Sequence, residues 1–180
     1  IGFSGGSYTL DGGIWNAGDN GFVAENGVSV TVEGGSLTTG ALYNSRIVDS
    51  TFVINGGAVS FDDGGSRDLT MDGSGLTLNA GSFSVGGNIK NTAGESPATF
   101  VFNGGTVTAG GFDFSVDSSA TIGGTSVGSI TTGSISGLSL DWLTGTQIAV
   151  TVSGNADWAE ELWNAGELTY NGSGKSALGV

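Results

Sequence analysis

Phe52-Val53-Ile54-Asn55-Gly56-Gly57-Ala58-Val59 is the stretch from which the rest of the chain can be read. Two apolar residues flank a third position, the period of two that half-buries a strand. Asn55-Gly56-Gly57 then supplies residues that tolerate a left-handed backbone before the apolar alternation restarts. The same order recurs as Tyr8-Thr9-Leu10-Asp11-Gly12-Gly13-Ile14, Val30-Thr31-Val32-Glu33-Gly34-Gly35-Ser36-Leu37, Leu76-Thr77-Leu78-Asn79-Ala80-Gly81-Ser82-Phe83 and Phe100-Val101-Phe102-Asn103-Gly104-Gly105-Thr106-Val107. The polar residue falls at 11, 33, 55, 79 and 103, in steps of 22, 22, 24 and 24. Such a period marks a repeat architecture in which each unit buries its apolar face only against its neighbours.

Between glycine corners there is room for about three short strands per coil at ~3.3 Å per residue. One coil reads as Ala58–Phe61, Asp68–Met71 and Leu76–Leu78. The expectation is therefore an all-β, single-stranded parallel β-solenoid with coils of 22–24 residues. Its hand is expected to be right-handed, by the preference of parallel crossovers. About seven coils at ~4.8 Å would make a rod roughly 35 Å long. Residues 1–137 read as the solenoid repeats and residues 138–180 as irregular C-terminal coils of the same domain, a capping or assembly region. Within the latter, residues 155–166 predict a two-turn helix, with Asn155 or Asp157 as N-cap, Glu160 and Glu161 in the first turn and Gly166 as the stop.

Composition narrows the function classes. Gly accounts for 36 of 180 residues, but the apolar fraction of 37% is periodic, which separates the chain from disordered Gly-rich segments. A formal charge of −13 excludes a nucleic-acid binder, which needs a basic surface to release counterions. Cys and His are both absent, so disulfides, thiolate zinc sites and the commonest general base are excluded. No apolar run approaches the ~18 residues of a membrane span. The start at Ile1-Gly2-Phe3-Ser4, without Met, reads as a mature exported chain.

Candidate sites follow from the coil period. Asn55, Asn79 and Asn103 are expected to stack at one corner as a structural ladder, with Glu33 and Asp11 continuing it toward the N-terminus. Arg46, Arg67 and Lys90 are spaced by 21 and 23 residues and so predict a basic stripe along one edge. Pairing with local acids such as Asp49, Asp68 and Glu95 is the favoured reading of it. Docking of carboxylates from another subunit or an acidic glycan is the sharper one. Phe3, Tyr8 and Leu10 predict an N-terminal strand able to complete a neighbouring subunit, and Trp158, Leu162 and Trp163 a C-terminal capping or assembly cluster. A Trp platform for sugars is the alternative for the last group.

Solenoids that cleave polysaccharides need convergent carboxylates. Asp62, Asp63, Asp113 and Asp117 are the acidic candidates, with Arg67 the nearest base in sequence, but Asp62-Asp63-Gly64-Gly65 reads more simply as a turn. Catalysis is therefore not expected. Calcium is the ion that oxygen ligands and excess negative charge would suit, yet Gly64–Asp72 does not reproduce the repeated calcium-binding nonapeptide, and no cofactor is expected. Ice binding would want a ladder of Thr-x-Thr, and only Thr106-Val107-Thr108, Thr144-Gly145-Thr146 and scattered threonines are visible along the chain.

The C-terminal stretch Leu138-Ser139-Leu140-Asp141-Trp142-Leu143-Thr144-Gly145-Thr146, followed by Ile148–Gly154 and by Asp157-Trp158-Ala159-Glu160-Glu161-Leu162-Trp163-Asn164-Ala165-Gly166-Glu167-Leu168-Thr169-Tyr170-Asn171-Gly172, resembles the C-terminal part of secreted bacterial proteins that carry a PEP-CTERM sorting tail. Such proteins often carry Gly/Asn-rich β-strand repeats like those of autotransporter passengers, to which residues 1 to about 124 are similar. The sequence contains no Pro-Glu-Pro, transmembrane stretch or basic tail. The resemblance implies export to the cell surface or extracellular matrix of a bacterium and supplies no activity. With the open-ended repeats it gives the functional expectation of a non-enzymatic, self-assembling fibre or matrix subunit that polymerises through its solenoid ends. A glycan-binding module on an extracellular polysaccharide is the alternative, and a polysaccharide lyase or hydrolase the less favoured one.

Overall fold

The computed structural model describes residues 1–40, 42–61, 65–123, 127–142, 147–153, 156–158 and 167–170; for residues 116, 117, 122, 139–142, 147–149, 156–158 and 167–170 it describes the backbone alone. The strands are β1 (Gly2–Ser4), β2 (Ser7–Asn16), β3 (Val23–Glu25), β4 (Ser29–Thr39), β5 (Ser45–Val48), β6 (Thr51–Ile54), β7 (Ala58–Phe61), β8 (Leu69–Asp72), β9 (Gly75–Leu78), β10 (Ser82–Asn91), β11 (Thr99–Phe102), β12 (Gly105–Ile122), β13 (Val127–Thr132), β14 (Ile135–Trp142), β15 (Gln147–Val152), β16 (Ala156–Trp158) and β17 (Glu167–Tyr170). They pair in parallel throughout, as a β-solenoid.

Each coil visits three faces in turn. Face 1 stacks β1, β3, β5, β8, the second half of β10 and the middle of β12. Face 2 stacks the first halves of β2 and β4, then β6, β9, β11, the end of β12 and the second half of β14. Face 3 takes the second halves of β2 and β4, then β7, the first half of β10, the start of β12, β13, β15 and β17. On face 2 the register runs Ser7, Ser29, Thr51, Gly75, Thr99, Ser119, in steps of 22, 22, 24, 24 and then 20 residues. The coil thus tightens where the sequence motif fades after Gly111. Beyond it, β14 runs through residues 137 and 138 as one strand, but its pairing with β12 shifts register between Ser136 and Leu138.

Alternation along each strand sends every second side chain inward. Phe22 stacks on Phe61 at 5.1 Å between ring centroids, Phe52 lies 5.4 Å from Phe22, and Phe83 meets Phe61 edge-on at 5.7 Å. Further along the axis Phe100 contacts Phe112 and Phe114 at 5.9 and 5.4 Å. These rings form a single apolar column, and each aromatic contact adds about 0.5–1.5 kcal/mol beyond the area it buries.

The corners carry the constraints. Between faces 2 and 3, Gly57 has φ +77° and its carbonyl accepts from Ser82 N at 3.0 Å. A Cβ on Gly57 would lie 2.5 Å from the carbonyl oxygen of Gly35 in the preceding coil, and Gly105 stands in the same relation to Gly81 at 2.6 Å. Positive φ and close backbone approach both demand glycine there. Ala80 takes the place of the first glycine of the pair in its repeat while Gly81 retains the second, at φ +86°.

Between faces 1 and 2, buried serines bond the turn to the next coil. Ser50 Oγ accepts from Val28 N at 3.2 Å and donates to Val48 O at 2.7 Å. Ser118 Oγ accepts from Ala98 N at 3.0 Å, and Ser74 Oγ donates to Ile47 O at 2.8 Å. Buried backbone groups at a turn must find partners, and these hydroxyls provide them.

The C-terminal helix is not seen where it can be checked. Ala156–Trp158 form β16, with Asp157 opposite Ser136 and Trp158 opposite Leu138, so parallel pairing overrides local helix preference at the expected N-terminus. Residues 159–166, including Leu162 and Trp163, lie outside the described residues.

Candidate functional site

The first coil is the place where the repeat pattern is incomplete. Among the described residues β1 pairs only with β3 and β2 only with β4, so one backbone edge of each is unmatched. Phe3 lies 4.6 Å from Tyr8, 5.4 Å from Trp15 and 5.6 Å from Phe22 between ring centroids. These rings make a tier above the core. Tyr8 is 38% exposed, whereas Val30, next in the same column, is fully buried, as are Ala24 beneath Phe3 and Leu37 beneath Trp15. A further coil stacked on this tier would bury it in the same way.

Leu10, grouped with Phe3 and Tyr8 in the sequence, belongs elsewhere. It is buried in its own core opposite Val32. The strand holding Tyr8 and Leu10 is therefore already the first coil of this solenoid rather than a loose arm.

The asparagine ladder is continuous over three coils. Asn103 Nδ2 donates to Asn79 Oδ1 at 2.7 Å, Asn79 Nδ2 to Asn55 Oδ1 at 2.7 Å, and Asn55 Nδ2 to Glu33 Oε1 at 2.9 Å. Asn55 and Asn79 each donate to the preceding coil and accept from the following one, so their amides bond to one another along the axis, as a structural ladder does. Asp11 does not extend it: the register slips after Leu10 and sets Asp11 opposite Gly34.

The basic stripe is resolved into two ion pairs and one displaced residue. Face 1 has a column of Val23, Arg46, Thr70, Lys90 and Asp113. Arg46 Nη2 reaches Glu25 Oε2 at 2.5 Å, and Lys90 Nζ reaches Asp68 Oδ2 at 2.5 Å, whose other oxygen accepts from Asn88 N at 2.8 Å. Glu25 rather than Asp49 is the partner of Arg46. Arg67 stands off the column because Thr70 occupies its position on the intervening coil.

Asp113 is exposed on face 1 and accepts from Ser136 Oγ at 3.0 Å. Asp62 and Asp63 lie outside the described residues, as does the side chain of Asp117. Among the described residues no three acidic side chains are grouped to hold a metal ion, and no helix is long and apolar enough to cross a membrane. One open depression lies between Ile1, Val23 and Tyr43 beside the first coil, without a charged side chain in its lining. Searched against protein-family models, curated proteins and solved structures, the chain finds no match.

Proposed function

We propose that the protein is a non-enzymatic structural subunit of an extracellular fibre or matrix, joined to its neighbours through the ends of its solenoid. The observation that carries this reading is the first coil: an unmatched strand edge beside the tier of Phe3, Tyr8 and Trp15, whose column neighbours one coil on are fully buried. Parallel edges recruit further strands, and burying an aromatic side chain contributes about 1.5–3 kcal/mol. The resemblance of residues 138–172 to exported bacterial proteins supports the location. Because β1 and β2 are committed to their own core, the joint is coil against coil rather than a donated arm.

Sedimentation and electron microscopy of the protein test this. Concentration-dependent end-to-end particles are expected, and Tyr8→Lys, which sets a charge on the tier, is expected to leave monomers with unchanged circular dichroism. A wild-type protein that stays monomeric at high concentration overturns the proposal. Trp fluorescence quenched by added polysaccharide in such a monomer would favour the glycan-binding reading instead.

A further inference from the structure

Through β13, faces 2 and 3 both lack charge at their outward positions, unlike face 1 with Arg46, Asp72, Lys90 and Asp113, and face 2 is set apart from face 3 by a column that is β-branched throughout. The outward positions of face 2 form two columns, Ser7, Ser29, Thr51, Gly75, Thr99, Ser119 and Thr9, Thr31, Val53, Thr77, Val101, Thr121. No charged residue stands in either column over these six coils, in a chain of net charge −13; Asp141 follows Thr121 only where the array ends. Every member of the second column is Thr or Val, two residues of one shape that each present a γ-methyl and have a stiff χ1. Strand propensity favours β-branching, but it does not remove charge from a solvent face; exposed strands ordinarily carry Lys or Glu as protection against association.

The register along both columns is unbroken from β2 to the end of β12, although the coils differ in length. The variation is taken up elsewhere, in the segment between Phe61 and Leu69 and in that between Asn91 and Thr99. A two-dimensional array of hydroxyl and methyl groups in continuous register results. Its repeats are ~4.8 Å from coil to coil and ~6.6 Å from i to i+2 along a strand.

Ordered water has nearly the same repeats. With O–H···O distances of ~2.75 Å, tetrahedral bonding puts second-neighbour oxygens ~4.5 Å apart and gives a repeat along the hexagonal axis of eight-thirds of the bond, ~7.3 Å. The mismatch between coils is ~0.3 Å per step, so it accumulates to only ~1.5 Å over the six rungs, about a third of a lattice spacing. Across the two columns the misfit of ~0.7 Å occurs once. Hydroxyls spaced this way can join the lattice while methyls sit in its cages. Each bond is worth only about 0.5–1.5 kcal/mol net, but a preformed array engages many at once.

We propose that face 2 is a binding surface for ice, reading the crystalline water lattice through the Ser/Thr column and the Thr/Val column. This is independent of end-to-end joining, which uses the first coil. Gly75 is the one gap in the array. A Cβ there would lie 3.4 Å from Thr99 Oγ1 and 3.9 Å from Thr51 Cγ2, so the position accepts a side chain.

The test is partition of the fluorescently labelled protein into a slowly growing ice hemisphere, with ice recrystallisation as a second readout. Wild-type protein is expected to be incorporated and an inert label control excluded. Thr77→Lys, at the centre of face 2, should reduce incorporation several-fold, and Gly75→Thr should raise it. Thr106→Lys, on face 3, should leave it unchanged, with equal thermal stability checked for all three. Exclusion of the wild type from ice overturns the proposal, as does equal loss in Thr77→Lys and Thr106→Lys. A wild-type dimer that Thr77→Lys dissolves, with neither protein entering ice, would identify the face as a contact between copies and overturn it equally.

Discussion

Gly57→Ala isolates the force that shapes the coil. The substitution meets two penalties at once, φ of +77° and a Cβ 2.5 Å from the carbonyl oxygen of Gly35, with Gly34 C at 2.8 Å and Gly35 N at 3.0 Å. A left-handed alanine costs about 1–2 kcal/mol. The steric overlap requires the two coils to part by several tenths of an ångström against backbone that cannot rotate away, a displacement worth about 1–3 kcal/mol in a packed structure. Reduced freedom of the unfolded chain returns about 0.4–1 kcal/mol, which leaves a net loss of about 3 kcal/mol. In a chain of this size that lowers Tm by roughly 6–12 °C, at about 2–4 °C per kcal/mol. Gly27→Ala supplies the control, since Gly27 has φ +73° but open space around its Cβ position. It should lose about 1 kcal/mol, the backbone term less the same unfolded-state return. Urea unfolding followed by circular dichroism measures both. Equal losses in the two variants would refute the reasoning, because the stacked carbonyl would then contribute nothing.

Four further substitutions, in two pairs, probe the surface. Asn79 donates one ladder bond and accepts another, whereas Asn103 donates one, so Asn79→Ala should lower stability by about 1–2 kcal/mol and Asn103→Ala by about half as much in the same urea assay. Lys90→Ala should cost about 1 kcal/mol and persist in high salt, since Lys90 and Asp68 are only 27% and 22% exposed at their side chains, while Arg46→Ala, with Arg46 53% exposed, should fall within about 0.5 kcal/mol of wild type.

How far the fold could be read from the chain depended on which residues carry the geometry. Asn55-Gly56-Gly57 and its counterparts were legible because a corner with positive φ and no room for a Cβ admits very few residues. Its spacing therefore survives as a period. Arg46, Arg67 and Lys90 show the limit of the same reasoning. Their spacings of 21 and 23 imitate the coil, but the actual steps through Thr70 are 24 and 20, because the segment after Phe61 lengthens one coil and the next is tighter. Equal sequence distance becomes a shared column only where no corner has absorbed or lost residues. The Asp157-Trp158 segment misled for a different reason: local caps favour a helix, but the strand edge of β14 lies alongside and takes Ala156–Trp158 into the wall.

The features with most to say about function were present in the sequence but at right angles to the direction of reading. Ser50, Ser74 and Ser118 look like surface serines one at a time, and only their recurrence at 24 and then 44 residues marks them as a buried column. The threonines of face 2 look scattered for the same reason. A search for Thr-x-Thr along the chain finds Thr106-Val107-Thr108, on face 3, and misses Thr9, Thr31, Val53, Thr77, Val101 and Thr121, which are consecutive only across coils. In a solenoid the chain direction encodes the inside and outside of each strand, while the composition of a surface is written along the axis. A binding face must therefore be read at the coil period, with each step taken from the actual register, and the charge-free Thr/Val column emerges only when that is done.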